Sequence, residues 1–297
     1  MGRFIKKFSI PDSKVFIIKE LNGPYFDPTF HFHPEYQLFL VLKGRGTRFV
    51  GDTMKPFKEG DLVLIGPNLP HVWRNDNSYF NNKDENSTSG IVIYFQEAFL
   101  GNAIKSKDEM ETVRYLFEKT NRGLEIIGDT KTHISSMMQD LLKLNGFKSL
   151  IHLLEIFNVL ATSTETQAIT NSAYVPTANK ALTDRMNNVY EFVMKNFDKD
   201  VGLDEISELV NMTPTSFSRY FRTQVNKPFS TFLKEIRITH ACKLLQEESL
   251  GINQIAYQCG FNTISNFNKQ FKEVTGQNPS FYKKRFHKVI TNIQESF

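Results

Sequence analysis

Along the first hundred residues, apolar and polar positions alternate with the two-residue period of half-buried strands. "VFIIKEL" (15–21), "YQLFLVLKG" (36–44), "TRFVG" (47–51), "DLVLIG" (61–66) and "IVIYF" (91–95) are short β-rich runs separated by Gly, Pro and Asn. Several strands at this spacing predict a sandwich or barrel. "KGRG" (43–46) between two of them is a hairpin turn whose glycines tolerate positive φ. From about Glu97 to Leu160 the period lengthens to that of helices, in "VRYLFEKT", "ISSMMQDLLKL" and "LIHLLEIFNVLA". "TSTETQAITNSAYVPTANK" (162–180) has the Ser, Thr, Asn and Pro content of a linker, and everything beyond it reads as helix.

The last third of the chain repeats itself. "FSRYFR" (217–222) matches "FNKQFK" (267–272) at an offset of 50, and "LDEISELVNM" (203–212) matches "INQIAYQCGF" (252–261) at an offset of 49. The one-residue difference falls in the turn between paired segments, so each copy reads as helix, short turn, helix. Thr213 is a natural N-cap with Pro214 in the first helical position, and in the second copy Gly260 sits in the turn with Asn262 or Thr263 as cap.

Helical periodicity divides the second helix of each copy into two faces. Phe217, Phe221 and Val225 form one apolar stripe; Ile264, Phe267, Phe271 and Val274 form the other. The opposite faces carry Thr215, Ser216, Arg219 and Arg222 in one copy and Ser265, Asn266, Lys269 and Lys272 in the other, with Thr263 at the second cap. Such side chains bond base edges and phosphates. A plain solvated helix face has the same composition, and it is the pairing of two such faces that points to double-stranded DNA. Between the copies, "FSTFLKEIRITHACKLLQ" (229–246) carries a helical apolar stripe. Eighteen helical residues span ~27 Å, enough to hold two units about one DNA turn, ~34 Å, apart.

"IAYQCGFNTISNFNKQFKEVTGQNPSFYKKRF" (255–286) resembles the second half of an AraC/XylS-type DNA-binding domain, in which IA, three variable residues and GF are followed by F-x3-FK, G-x-x-P and a terminal Y-[RK]-[RK]. The likeness covers roughly residues 181–287. It departs from the family at Ser207, usually alanine, at Asn211, where glycine is common, and at Asn226 in place of a later glycine.

Candidate chemistry in the amino-terminal part centres on "HFHPEYQLFLVLKGRG" (31–46). His31, His33, Glu35 and Gln37 share parity and would face one side of a continuous strand, which Pro34 interrupts. "GDLVLIGPNLPHVWRN" (60–75) supplies a third histidine, His71. Together the stretches resemble a cupin barrel: H-x-H, a glutamate four residues on, then G…P…H-x3-N. Here Gln37 takes the glutamate position, Gly66 and Asn68 replace a proline and a glycine, and Pro67 and Asn75 are present. Catalytic non-haem metal sites use three imidazoles with a carboxylate, or two with one, and a neutral amide is a poor substitute. Three histidines alone do hold zinc, and Glu35 is a carboxylate within reach if the strand bulges. Ordinary core histidines are a further reading. The one favoured is a metal-free polar pocket in which His31, His33, Gln37 and His71 hydrogen-bond a small molecule. Arg48, Trp73 and Tyr36 are candidates for its walls. In regulators of this kind the resemblance implies a small effector, often a sugar, in the barrel. It also implies subunit pairing through the following helices, where "LIHLLEIFNVLA" (150–161) is more apolar than one buried face requires.

Composition changes the picture only slightly. The 297-residue chain is long enough for two cored domains. Its net charge of +4 lies wholly beyond residue 175: 16 Lys+Arg against 12 Asp+Glu from Pro176 onward leave 20 of each before it. That distribution agrees with a nucleic-acid partner for the carboxyl-terminal part. Cys242 and Cys259 fit buried thiols of a reducing compartment better than a disulfide. "MGRFIKKFSIPDSKVF" lacks the apolar core of a secretion signal and no run of ~18 apolar residues occurs, so a cytoplasmic protein without membrane contact is expected.

The expectation is a multi-domain chain: a cupin-like all-β barrel (1–96), a helical dimerisation segment (97–161), a linker (162–180) and an all-α domain with two helix-turn-helix units (181–290). Its expected function is transcription regulation, with activation and hence contact with RNA polymerase favoured, under control of a carbohydrate-like effector. No catalytic residue, metal or cofactor is assigned. A metal-dependent cupin isomerase or dioxygenase with a DNA-binding tail, and a regulator that ignores ligands, are the alternatives.

Overall fold

The computed structural model describes residues 10–76, 78–79, 87–172, 174, 180–225, 227–245 and 250–284. They fall into two compact units, residues 1–183 and 184–297. Asn226 and residues 175–179 of the expected linker lie outside the described residues.

Among the described residues the first unit has nine strands: β1 (Phe16–Gly23), β2 (Tyr36–Lys43), β3 (Gly46–Val50), β4 (Thr53–Phe57), β5 (Leu62–Ile65), β6 (His71–Asn75), β7 (Thr88–Phe95), β8 (Leu124–Ile126) and β9 (Thr166–Ala168). They form a six-stranded sheet in the order β1-β7-β2-β5-β8-β9 and a three-stranded sheet in the order β4-β3-β6. Neighbouring strands in both sheets pair antiparallel. Side-chain alternation explains why "YQLFLVLK" is almost continuously apolar: both faces of β2 are covered. Phe39 and Val41 point between the sheets with Val63, Ile65, Val92, Val50, Phe57 and Trp73. Tyr36, Leu38 and Leu40 point the other way, into a second core.

That second core is roofed by helices: α1 (Ala103–Ser106), α2 (Glu111–Lys119), α3 (Gly128–Leu141) and α4 (Gly146–Thr162). Leu153, Ile156, Phe157 and Leu160 of α4 are buried in it, and Phe95 packs between Tyr36 and Phe157 with ring centroids 5.0 and 4.6 Å away. The surplus apolar residues of α4 occupy a different stripe. Phe147, Ile151 and Leu154, at helical spacing, are 74, 44 and 39% exposed.

Three elements differ from the sequence reading. Pro56 sits in β4, which is an edge strand where a missing N–H is tolerated. β8 interrupts the expected helical segment between Gly123 and Gly128, both at φ near +60°. The stretch read as linker contains β9, which pairs with β8, and beyond it the buried residues Thr170 and Tyr174. The amino-terminal barrel therefore continues well past residue 161 in sequence.

The second unit is helical: α5 (Lys180–Asn196), α6 (Leu203–Leu209), α7 (Pro214–Val225), α8 (Phe229–Leu244), α9 (Ile252–Gln258) and α10 (Ile264–Thr275). The pairs α6–α7 and α9–α10 are the two repeated units. Phe217 and Phe221 are fully buried, as are Phe267 and Phe271; Val274, placed on the apolar stripe by periodicity, is instead exposed in the last turn. Ser207 stands where the family has alanine, and its buried hydroxyl is satisfied by donating to Asp204 O at 2.9 Å. Asn211 adopts φ +54°, the conformation that makes glycine common at that place.

Candidate functional site

His31 and His33 lie just before β2, where Pro34 has kept the strand from starting, and His71 opens β6. An isolated antiparallel bridge brings His31 to His71: His31 N donates to His71 O at 3.1 Å and His71 N donates to His31 O at 2.8 Å. One ring nitrogen from each of the three histidines lies within 4.8 Å of those of the other two. Gln37, the first interior-facing residue of β2, closes the group, with its side-chain oxygen 3.1 Å from His33 Nε2 and 3.3 Å from His71 Nε2.

The backbone orients all three rings. His31 Nδ1 donates to Thr29 O at 2.7 Å, His33 Nδ1 to Glu35 O at 3.0 Å and His71 Nδ1 to Leu69 O at 2.7 Å. A carbonyl only accepts, so each ring proton sits on Nδ1. Burial, then the neighbouring His31, lowers His33 to about 4, and burial holds His71 well below the ordinary imidazole value. Both are therefore neutral near pH 7 and present Nε2 lone pairs toward Gln37. The group that faces two lone pairs has to be a donor. Either the Gln37 carboxamide turns its NH2 toward them, or a cation stands there.

One neighbour, Tyr94, was not singled out by the sequence. Tyr94 packs edge-on against His33 with centroids 5.3 Å apart, and it shares interior parity with Val92 on β7, a signal that was legible. Glu35 is buried with one carboxylate oxygen near His33 Nδ1 (3.6 Å), while its other oxygen accepts from Gln96 Nε2 at 3.3 Å. It backs the histidines rather than joining them, and among the described residues its Oε2 has no hydrogen-bond donor. Asn68 holds φ +59°, doing glycine's part in the loop before His71. Asn75 staples the barrel, accepting from Phe26 N at 2.8 Å and donating to Arg45 O at 3.2 Å.

Of the three wall candidates, Tyr36 faces the helices and Trp73 faces the interior, its ring centroid 5.9 Å from that of His71. Arg48 is buried and already engaged, bonding Asp61 and Glu125, while Trp73 Nε1 donates to Asp61 at 3.0 Å. Burial pushes the Glu125 carboxyl up, yet Arg48 and Lys55 outweigh it and hold the group ionised below its usual range. Arg48 thus ties β8 to the barrel.

On the helical unit, Thr215, Arg219 and Arg222 are exposed along α7, and Ser265, Asn266, Lys269 and Lys272 along α10. Neither arginine nor either lysine forms an ion pair with a described residue, in contrast to Lys234 and Glu273 at 3.2 Å nearby. Two expected contacts have local work as well. Thr213 caps α7 by accepting from Ser216 N at 3.3 Å and also donates to the Ser216 hydroxyl. Thr263 caps α10, accepting from Asn266 N at 3.2 Å.

Residues 206–285 match the family model described as a helix-turn-helix domain, and residues 23–78 the one described as a cupin domain. The HTH-type transcriptional regulator YdeC of Bacillus subtilis is 21% identical over 272 residues, covering 86% of this chain and 85% of its own length. The HTH-type transcriptional regulator SAS0078 of Staphylococcus aureus (strain MSSA476) is 31% identical over 268 residues, which are 86% of this chain. The chain spans only 32% of the length of that relative. The solved structure of ToxT from Vibrio cholerae O395 aligns with 92% of this chain and 100% of its own at 17% identity and a TM-score of 0.37. Among the described residues no helix is long and apolar enough to cross a membrane.

Proposed function

We propose that this chain, parts of which match a helix-turn-helix and a cupin family model, is an AraC-type regulator of transcription that binds double-stranded DNA through α7 and α10 and a small effector through the barrel. The observation that carries the DNA half is the repetition itself. Two helices of one unit each bury a pair of phenylalanines and turn a basic and polar face to solvent, its arginines and lysines without an ion pair among the described residues. Arg219, Arg222, Lys269 and Lys272 would meet phosphates, and Thr215, Ser216, Thr263, Ser265 and Asn266 would reach base edges or the sugar-phosphate chain.

The effector reading rests on His31, His33, Gln37 and His71, a compact set of hydrogen-bonding side chains beside Tyr94 and Trp73. Hydrogen-bonding groups against aromatic walls suit a hydroxyl-rich molecule, with a carbohydrate the leading class. The exposed stripe of Phe147, Ile151 and Leu154 on α4 supports a homodimer. Activation through RNA polymerase is the mode favoured.

A second reading has its own observation: the Nε2 lone pairs of His33 and His71 converge while their Nδ1 protons are held by backbone, as in imidazoles that ligate a metal. The donor set fits a zinc-class ion held by His31, His33 and His71. Such an ion would give the barrel a Lewis-acidic point for an effector oxygen.

Thermal unfolding of the full chain against mono- and oligosaccharides and sugar phosphates, with and without zinc, tests both. A ligand at 100 times its Kd adds ~2.7 kcal/mol and raises Tm by a few degrees. A shift with sugar alone supports the metal-free pocket; a shift that needs zinc supports the second reading. No shift with any probe counts against an effector in the barrel.

A further inference from the structure

The chain leaves the barrel in an unusual way. After β9, Ile169 N donates to Gly123 O at 2.9 Å and Thr170 N to Arg122 O at 3.0 Å, while Arg122 Nε returns a bond to Thr170 O at 3.2 Å. Asn171 then donates twice to the buried Asp52 carboxylate, from N at 3.2 Å and from Nδ2 at 2.8 Å. Tyr174 turns back, with its N bonded to Asn171 O at 3.0 Å, and its ring joins the core between the sheets, among Phe26, Phe39, Val50 and Trp73. Only five residues separate it from the start of α5 at Lys180. Residues 166–172 and Tyr174 are thus a strap across the barrel, anchored at its start by sheet pairing and at its end by one inserted aromatic ring.

The strap packs against Gly51, which is hydrogen-bonded to the loop that carries the third histidine. Gly51 has φ +56°, and a Cβ there would lie 2.8 Å from a Tyr174 ring carbon and 2.6 Å from the Thr170 methyl, so the contact is close. Gly51 N donates to Pro70 O at 2.8 Å, Val50 pairs with His71, and Leu69 O holds the His71 ring. A Cβ on Gly123 would meet Leu69 and Ile169 together, each at 3.3 Å. Leu69, Pro70 and His71 are therefore joined directly to the histidine centre and, through Gly51 and Gly123, to the residues that the strap packs against. The strap is also imperfectly satisfied: Thr170 is 1% exposed and its hydroxyl lacks a partner among the described residues. A buried unpaired hydroxyl offsets part of the gain from closure.

We infer that residues 166–172 with Tyr174 are the coupling element of this protein: occupancy of the histidine centre shifts the loop 66–71, and the strap, with Tyr174 as its pin, passes that shift to the segment leading into the DNA-binding unit. The inference rests on the effector reading above. It requires a two-state element that both ends bias. Tyr174 supplies it, because a ring is either seated between the sheets or not. The upstream anchor stays fixed in both states, since β8 is held to the barrel by Glu125 with Arg48 and Lys55.

The test uses ligand-free full chain, with hydrogen exchange read by mass spectrometry and affinity measured for a duplex that the wild type selects from a random-sequence pool. Tyr174→Ala should speed exchange at residues 166–172 at least tenfold, leave β2 and β7 protected as before, and change the Kd for that duplex at least fivefold. Tyr174→Phe, which keeps the ring, should restore both. Should Tyr174→Ala fail to fold, Asp52→Asn, which weakens the Asn171 anchor without opening a cavity, carries the same two readouts. A freed strap with unchanged DNA affinity overturns the inference, as does unchanged exchange. The experiment contains no effector, so a barrel that takes none fails the unfolding panel and leaves this result standing.

Discussion

Nε2 of His33 stands 3.1 Å from the side-chain oxygen of Gln37, so that a neutral amide occupies the place where a carboxylate would complete a metal-binding set. The ring is neutral and offers a lone pair there, because its proton is held by Glu35 O. Gln37→Glu supplies the missing charge without changing the shape of the side chain. It should tighten zinc binding by about tenfold or more, measured by competition with a chelating dye. Equal affinity in the two proteins would mean that the three rings do not share one ion.

The same burial makes the barrel acid-sensitive. His33 is lowered to about 4 and His71 lies well below the ordinary value, both first by burial. An unfolded chain takes up protons on these groups near pH 6.5, while the folded chain does not. The unfolded state then binds more protons, and stability falls as pH drops below 6.5. For His33 the loss continues down to about 4, at up to about 1.4 kcal/mol per pH unit for each histidine. Denaturant midpoints measured at pH 7.5 and pH 5 should show it, and His33→Gln together with His71→Gln should flatten the dependence.

The strands at β2, β3, β5 and β7 were legible because their interiors alternate or are wholly apolar, and the repeated helices were legible because two copies read each other. The meeting of His31, His33 and His71 could be expected only from the cupin likeness, since Pro34 breaks the parity that would have placed them. β9 carries no such signal. Thr166, Gln167 and Ala168 form a polar edge strand, held by backbone pairing to β8 rather than by side chains. Tyr174, one aromatic in a Ser- and Thr-rich stretch, marks a return to the core that only the fold reveals. On α4 the sequence showed an excess of apolar residues but not its division into two stripes.

That division sets a prediction for assembly. Phe147 and Ile151 are exposed while Leu153, Ile156 and Phe157 are buried, so the outer stripe can be altered without touching the core. Ile151→Asp should turn a dimer mass into a monomer mass in sedimentation at micromolar concentration, with Tm within a few degrees of wild type. A monomer in the unaltered protein would remove α4 as a subunit interface.

Gly260 joins the two halves of the helical unit. Its φ is +78°, and a Cβ there would stand 2.8 Å from the carbonyl oxygens of Phe197 and Asp198. Arg237 holds the same turn, donating to Phe197 O and Lys199 O at 2.7 Å each. Gly260→Ala adds both a left-handed conformation unsuited to alanine, about 1–2 kcal/mol, and a clash with backbone that cannot rotate away. It should lower the thermal midpoint of the helical unit by several degrees, with the barrel unaffected in hydrogen exchange.

Arg219 and Lys269 occupy equivalent places in the repeat, 50 residues apart, and both are exposed without an ion pair among the described residues. Each phosphate contact contributes about 0.9 to the slope of log affinity against log salt. Arg219→Ala and Lys269→Ala should therefore each weaken binding and each reduce that slope by about one, and the double variant by about two. The losses should differ in place. If α7 and α10 enter successive grooves, a footprint on the selected duplex loses protection at one half of the site in Arg219→Ala and at the other half in Lys269→Ala. Loss at the same half in both variants would mean that the two units share one groove. Wild-type affinity in both would remove these faces from the interface, whatever the likeness of the motifs that suggested them.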